Sequence, residues 1–219
     1  MPPINGGGEM KEKLGLNPWL SIWVKPRKTI RALIDYDVSF RFIVMCAIYG
    51  FLYMLQTSQF LALGRSSSLL VIIILSAVLA IPAGYIVFNV SSFFAFLLGK
   101  LIKGKGSFKQ IRAATYWSTV PMVVTLLFWV FCIVINGNSL FVPGYEKSLV
   151  GSAAVINLVI GIAQFVLAIW GLIIYLHALG EVQGFSAWMA LLNAFLAGLS
   201  IFILLFLVSW GVAALTHVT

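Results

Sequence analysis

The side chains that could carry out catalysis are few in this sequence of 219 residues. Only six acidic residues and two histidines are present, and none lies in the middle of a hydrophobic run. Zinc-dependent hydrolysis would need a pattern such as H-E-x-x-H, and acyl transfer a G-x-S-x-G turn, and the sequence contains neither. Cys46 and Cys132 lie within apolar runs, which favours neither a disulfide nor a metal site. We therefore expect no enzyme, and no catalytic, cofactor-binding or metal-binding residues.

One pair of titratable residues has a spacing that suggests a function. His177 and Glu181 are four residues apart, so they would share one face of a continuous helix. At the end of a hydrophobic run, such a pair could respond to protons or bind a cation. The simpler interpretation, which we favour, is a salt bridge or hydrogen bond at the helix end.

Polar residues inside the hydrophobic runs are the remaining candidates for a site. Several fall on faces of small residues, which allow helices to approach closely, and amides can form hydrogen bonds between helices. These faces predict either packing within a bundle or a polar cavity for a substrate or lipid headgroup. Because no titratable residue lies mid-run, an ion-coupled pump is disfavoured. The candidate polar intramembrane face comprises Asn89, Ser91, Ser92, Asn157, Gln164 and Asn193.

The basic residues are concentrated in two short segments. The formal charge is +8, and 12 of the 14 Lys and Arg residues precede the first long apolar run or follow the second. Charges placed beside hydrophobic runs indicate membrane topology and attraction to anionic lipid, and not nucleic-acid binding. The topology predicts a cytoplasmic N-terminus and an external C-terminus. The predicted partner and lipid surface contains Lys25, Arg27, Lys28, Arg31, Lys103, Lys105, Lys109 and Arg112.

The elements that must position these residues are membrane spans. The chain is 62% hydrophobic and 9% charged, with a mean hydropathy of +1.07, so a water-soluble domain is excluded. Long unbroken apolar runs also exclude a β-barrel, whose strands alternate polar and apolar residues. We predict an all-α, polytopic transmembrane bundle over residues 36–219. Its five spans lie at about 41–63, 69–98, 116–135, 152–179 and 187–214.

Two prolines are expected to interrupt these helices. The second span is longer than a bilayer core, and Pro82 offers a kink or a point where it splits into two segments. Pro121 is expected to break the third helix near its start. That helix is predicted to begin earlier, because Ser107 and Gln110 have the spacing of a capping box.

The residues before the first span divide into two parts. Residues 1–16 are polar and rich in Gly and Pro, which predicts a disordered tail. Residues 17–35 have the pattern of an amphipathic helix lying in the membrane interface, with Trp19 and Trp23 at headgroup level. The other interpretations, which do not exclude the first, are a lid packed on the bundle and a docking site for a partner.

Three motifs follow one another in the segments that lie between or before the predicted spans. They are Asn17–Trp23 followed by Lys25–Arg31; Gly104–Ile111 followed by Tyr116 and Pro121; and Gly180–Ser186 followed by Ala190 and Leu191. In this order, and with five spans in the matching order, they resemble the prokaryotic branch of the Yip1-domain family. The likeness covers nearly the whole chain from Asn17.

The resemblance implies a non-enzymatic integral membrane protein that binds other membrane proteins. Eukaryotic members interact with prenylated Rab-type GTPases, but this chain lacks their Asp-Leu-Tyr-Gly-Pro motif and has only about 40 residues before its first span. The prokaryotic branch implies a plasma-membrane location, and some members associate with an ABC-type exporter as accessory factors. The expected partners are therefore anionic lipids and another membrane protein, such as an ABC-type transporter, or a second copy. The alternative function is a small uncoupled permease or lipid-handling protein.

Overall fold

The computed structural model describes residues 14–145 and 149–216, with side chains up to residue 211. Residues 1–13 of the predicted disordered tail lie outside these ranges, as does Lys147, between the third and fourth predicted spans. Every regular element within them is helical.

Eight α-helices make up the described chain, and two short 3₁₀ helices connect some of them. Four of the α-helices, and the α5–α6 segment taken as one, are long and apolar enough to cross a bilayer, which confirms the predicted five-span bundle. The helices are α1 (Pro18–Ser21), α2 (Pro26–Asp37), α3 (Phe42–Phe60), α4 (Leu69–Leu101), α5 (Phe108–Trp117), α6 (Val120–Asn136), α7 (Gly151–Gln183) and α8 (Ala187–Thr216). The 3₁₀ helices are Leu63–Arg65 and Gly137–Phe141.

Helix α4 runs without a break through Pro82. Its 33 residues correspond to about 50 Å, against a hydrocarbon core of about 30 Å. The alternative in which Pro82 divides this span into two segments is therefore wrong, and α4 extends well beyond a bilayer core at one end or both. The neighbouring α3 has 19 residues, about 28 Å, which matches the core closely.

The third span consists of two helices. Ser107 caps α5 through the predicted capping box, in which the Gln110 backbone N–H donates to the Ser107 hydroxyl and the Gln110 side chain accepts from the Ser107 backbone. Helix α5 ends at Trp117, and α6 begins at Val120 after two intervening residues, with Pro121 in its first turn, where a missing N–H costs nothing. The Tyr116 hydroxyl donates to the carbonyls of Val38 and Phe40, which fixes α5 against the link between α2 and α3.

Helices α3 and α4 are in backbone contact. A Cβ atom at Gly50 would lie 1.8 Å from the Ala80 carbonyl oxygen, and one at Gly84 would lie 2.2 Å from the Cys46 carbonyl oxygen. At such distances only a hydrogen atom fits on the glycine Cα. A larger residue at Gly50 or Gly84 would therefore clash with the backbone of the neighbouring helix. Small residues four apart on both helices create this interface.

The buried side chains form two clusters at opposite ends of the bundle. The larger one joins α1, α2 and α5 to the adjoining ends of α3, α4, α7 and α8. We call this the basic end, because the two cation-rich segments lie there. The smaller cluster, which includes Leu55, Trp129 and Phe141, lies at the other end, where the Asn138 side chain donates to the Gly64 carbonyl and links the two 3₁₀ helices.

Candidate functional site at the basic end

The N-terminal segment packs on the bundle as a lid. Asn17 caps α1 by accepting a hydrogen bond from the Trp19 backbone at 3.1 Å, and Pro26 opens α2. Ile22, Ile30 and Leu33 are at most 1% exposed and belong to the larger core cluster. Because this apolar side is buried against protein, the lid alternative describes the segment, and the membrane-facing orientation predicted for that side is wrong.

The two tryptophans follow the same pattern. Trp19 meets Trp117 edge-on, with ring centroids 5.5 Å apart, and Trp23 is half-buried against the core cluster. Both rings therefore pack on protein, and their predicted position at headgroup level stays a prediction. The apolar side chains that this segment exposes are instead Leu20 and Val24, 70% and 74% exposed.

Glu181, near the end of α7, holds the lid in place. Its Oε1 accepts hydrogen bonds from Nη2 and Nε of Arg31 at 2.7 and 3.0 Å, and its Oε2 accepts one from Nη1 of Arg27 at 3.3 Å. Arg27 also donates to the Phe185 carbonyl in the α7–α8 turn. The predicted pair of His177 and Glu181 is not formed, because the His177 ring lies 2.9 Å from the Ile173 carbonyl while two guanidinium groups take the carboxylate.

Gln183 joins the α7–α8 turn to the α4–α5 loop. Its buried side chain donates to the Ala95 carbonyl and accepts from the Gly106 backbone, both at 3.3 Å. Its own carbonyl accepts from the Lys105 backbone at 3.0 Å. A Cβ atom at Gly99 or Gly104 would fall 2.0 or 2.3 Å from this amide, so the two glycines make room for it.

Gln183 was not among the site residues predicted from the sequence. The available signal was that two of the three quoted motifs, Gly104–Ile111 and Gly180–Ser186, surround this contact. The structure shows that these motifs touch each other.

Six lysines at this end are exposed and have no ion-pair partner among the described residues. Lys100 donates to the Gly104 carbonyl and lies over the Phe96 ring, and we call the other five the lysine surface. Only three described carboxylates lie at the same end, and Glu181 is already paired with the lid arginines. The basic end therefore presents an uncompensated positive potential. The lysine surface comprises Lys25, Lys28, Lys103, Lys105 and Lys109.

Arg112 differs from these lysines because it is partly buried. Its guanidinium carbon lies 4.2 Å from the centre of the Phe42 ring, and its Nη1 donates to the Asn89 side chain at 3.1 Å. Asn89 in turn donates to the Tyr85 carbonyl at 2.7 Å.

The remaining polar residues do not converge on one cavity. Ser92 donates to Thr115, Asn157 binds Asn136 near the opposite end, and Asn193 lies fully buried beside Gly99. Ser91 and Gln164 are half-buried on α4 and α7. A groove of about 490 Å³ reaches Asn157, but it is otherwise lined by apolar and aromatic residues such as Leu158 and Phe165. The contacts of Asn89, Ser92 and Asn157 thus lie in separate parts of the bundle.

These features define a polytopic helical membrane protein with a folded, cationic layer at one end of its bundle. The Yip1 domain family model matches residues 20–210. The chain belongs to the Yip1-domain family. No curated protein and no solved structure gives a significant match.

Proposed function

We propose that this protein is a non-enzymatic adaptor or accessory factor that binds another membrane protein and anionic lipid through its basic end. The observation that carries the proposal is the lysine surface, held on a lid and loops that are fixed to the bundle. Because Glu181 and Gln183 hold the surrounding segments in place, little ordering is needed when a partner binds.

The charge distribution supports a defined orientation in the membrane. Cations accumulate on the cytoplasmic side of membrane proteins, which places the basic end and the N-terminus inside and the C-terminus outside. A prokaryotic plasma membrane is the location that the sequence resemblance favours. Each lysine close to an anionic leaflet contributes about 1 kcal/mol of attraction.

The proposed partner is a membrane protein with an acidic cytoplasmic surface, for which an ABC-type transporter is the candidate that the family resemblance suggests. Five unpaired lysines on one rigid layer steer and orient an acidic surface more than they add affinity. Cationic side chains therefore suit an accessory role, in which the partner carries the chemistry.

The test replaces all five residues of the lysine surface with glutamine. Arg27 and Arg31 are left intact, because they hold the lid through Glu181. After crosslinking in the native membrane and purification, we expect recovery of a partner of fixed stoichiometry to fall by about tenfold or more, since several attractions are lost together. Mass spectrometry identifies and quantifies the partner.

Two controls separate charge from folding. Replacing the same five lysines with arginine keeps the charge and should keep the partner. Arg65→Gln removes an exposed cation at the opposite end of the bundle and should also keep it. Unchanged partner recovery with the folded glutamine variant would refute the adaptor proposal.

A further inference from the structure

Arg112 carries a charge that the described residues do not neutralise. Its hydrogen-bond acceptor is the neutral amide of Asn89, and two aromatic rings, Phe42 and Phe108, lie 4.2 and 5.8 Å from its guanidinium carbon. Its Nε atom is enclosed without a partner, whereas its Nη2 atom forms no hydrogen bond and is not enclosed. The protein therefore holds the guanidinium through Nη1 and the ring contacts, and Nη2 remains available to a ligand.

The position of Arg112 along the bundle coincides with the edge of the hydrocarbon core. Helix α3 has the length of that core and begins at Phe42, directly beneath the guanidinium. On α4, Asn89 is the 21st residue, and about 20 residues suffice to cross the core from Leu69. With the excess length of α4 at the basic end, both helix lengths put Arg112 at the level expected for the phosphates of one leaflet.

A guanidinium at this depth needs an anion. Removing a charge from water without a counter-charge costs several kcal/mol, and aromatic rings offset only part of it. The exposed lysines avoid this cost because water surrounds them, whereas Arg112 is packed among side chains. Arginine also binds phosphate through a planar fork of N–H groups, which suits a partly occupied guanidinium.

We propose that Arg112 binds the phosphodiester of a phospholipid through its open Nη2 group, with Arg41 as a second cation. Arg41 is exposed and directly precedes Phe42, so it stands at the same end of α3. The exposed apolar side chains of Tyr85 and Phe93 on α4 offer a surface for the acyl chains. This inference rests on the proposed function for the orientation of the basic end toward an anionic leaflet.

Native mass spectrometry of the full-length, delipidated protein tests the site, with phosphatidylglycerol as the probe. We expect Arg112→Gln to weaken binding of the first lipid about fivefold or more, which corresponds to the loss of one cation near the membrane surface. Arg112→Lys should retain part of the binding. Arg65→Gln, at the opposite end, should leave it unchanged.

Because Arg112 packs against two rings, Arg41→Gln provides a second variant at an exposed residue, whose guanidinium lies over the Phe40 ring alone, 5.2 Å from its centre. It should also weaken lipid binding, by less than Arg112→Gln. Unchanged lipid binding in both variants overturns the site, as does displacement of the lipid by excess inorganic phosphate, which would mean that the anion is not held as a lipid.

The outcome separates this site from the adaptor proposal. If Arg112→Gln keeps the lipid but loses the partner protein, Arg112 belongs to a protein interface and the lipid site is wrong. If Arg112→Gln loses the lipid while the five-glutamine variant keeps its partner, the lipid site stands and the adaptor role falls.

Discussion

Helices α3 and α4 form one kind of pair in this molecule, and α7 and α8 form another. In the first pair, Gly50 and Gly84 bring the backbones together where side chains would otherwise separate them. In the second pair, glycines in the membrane-spanning parts, such as Gly161 and Gly198, have no atoms within 4 Å of a built Cβ. Within the apolar windows, 39% of α3 is buried, against 11% of α7 and of α8.

The two helix pairs therefore differ in where along the bundle they are packed against other parts of the chain. The α3–α4 pair is in close backbone contact, whereas Gln183, Glu181 and the core cluster hold α7 and α8 at the basic end. Near the other end, Asn157 of α7 accepts a hydrogen bond from Asn136 of α6. Their spanning parts are left to contact lipid or another membrane protein. Gly50 and Gly84 therefore pack within the chain, while Gly161 and Gly198 remain open.

The same substitution in the two pairs should have opposite effects. Gly50→Ala places a methyl group 1.8 Å from a backbone oxygen that cannot move aside, so we expect a loss of about 3 kcal/mol or more in unfolding free energy. Gly161→Ala meets open space and should gain up to about 1 kcal/mol through helix propensity. Denaturant unfolding of both variants in micelles measures the contrast.

Equal stability of the Gly50→Ala and Gly161→Ala proteins would contradict the close contact of α3 with α4. A fall in the stability of Gly161→Ala alone would mean that the spanning part of α7 is packed against a second copy of the chain.

The fixed end of α7 can be loosened without disturbing its span. Glu181→Gln removes the charge that pairs with Arg27 and Arg31, so hydrogen exchange in α2 should rise by up to about fivefold. This corresponds to at most about 1 kcal/mol, because both arginines are largely exposed to water. Hydrogen-exchange mass spectrometry of residues 17–37 provides the measurement.

His177→Gln is the matched control, since it lies one turn before Glu181 and makes no contact with the lid arginines. Protection of α2 should be the same as in the unaltered protein. Equal loss of protection in both variants would instead support the pairing of His177 with Glu181 that the sequence spacing predicted.

The smallest effect is expected at Asn193 on α8. Its side chain is fully buried, and neither its Oδ1 nor its Nδ2 has a hydrogen-bond partner among the described residues. Asn193→Leu removes an unsatisfied amide and adds apolar volume, so the unfolding free energy should be unchanged or slightly higher. Thermal unfolding checks the stability.

The same variant tests the alternative function. A permease that uses this amide would move solute or lipid in reconstituted vesicles and would lose that flux on Asn193→Leu. An adaptor would show no flux in either protein, and partner recovery would be unaffected.

Periodicity and hydrophobic run length predicted the spans well, because a bilayer demands about 20 apolar residues wherever a helix crosses it. The cap at Ser107 was equally predictable, because it depends on Gln110 three positions away. The site was harder to predict. Arg27, Arg31 and Glu181 were each singled out from the sequence, but Glu181 was assigned to the wrong partner.

What the sequence determined by itself was the class of protein, the number of spans, the position of the charges and the local helix signals. These follow from composition and from contacts within a few residues. Only the tertiary structure decided that the apolar side of α2 meets protein and not lipid, since both environments favour the same side chains. The tertiary structure alone also decided which glycines contact a neighbouring helix and which have free space beside them. It likewise decided that Gln183 and Glu181 bind groups about 80 to 150 residues away in the sequence. Such pairings depend on how helices distant in sequence cross, which periodicity within one helix does not encode.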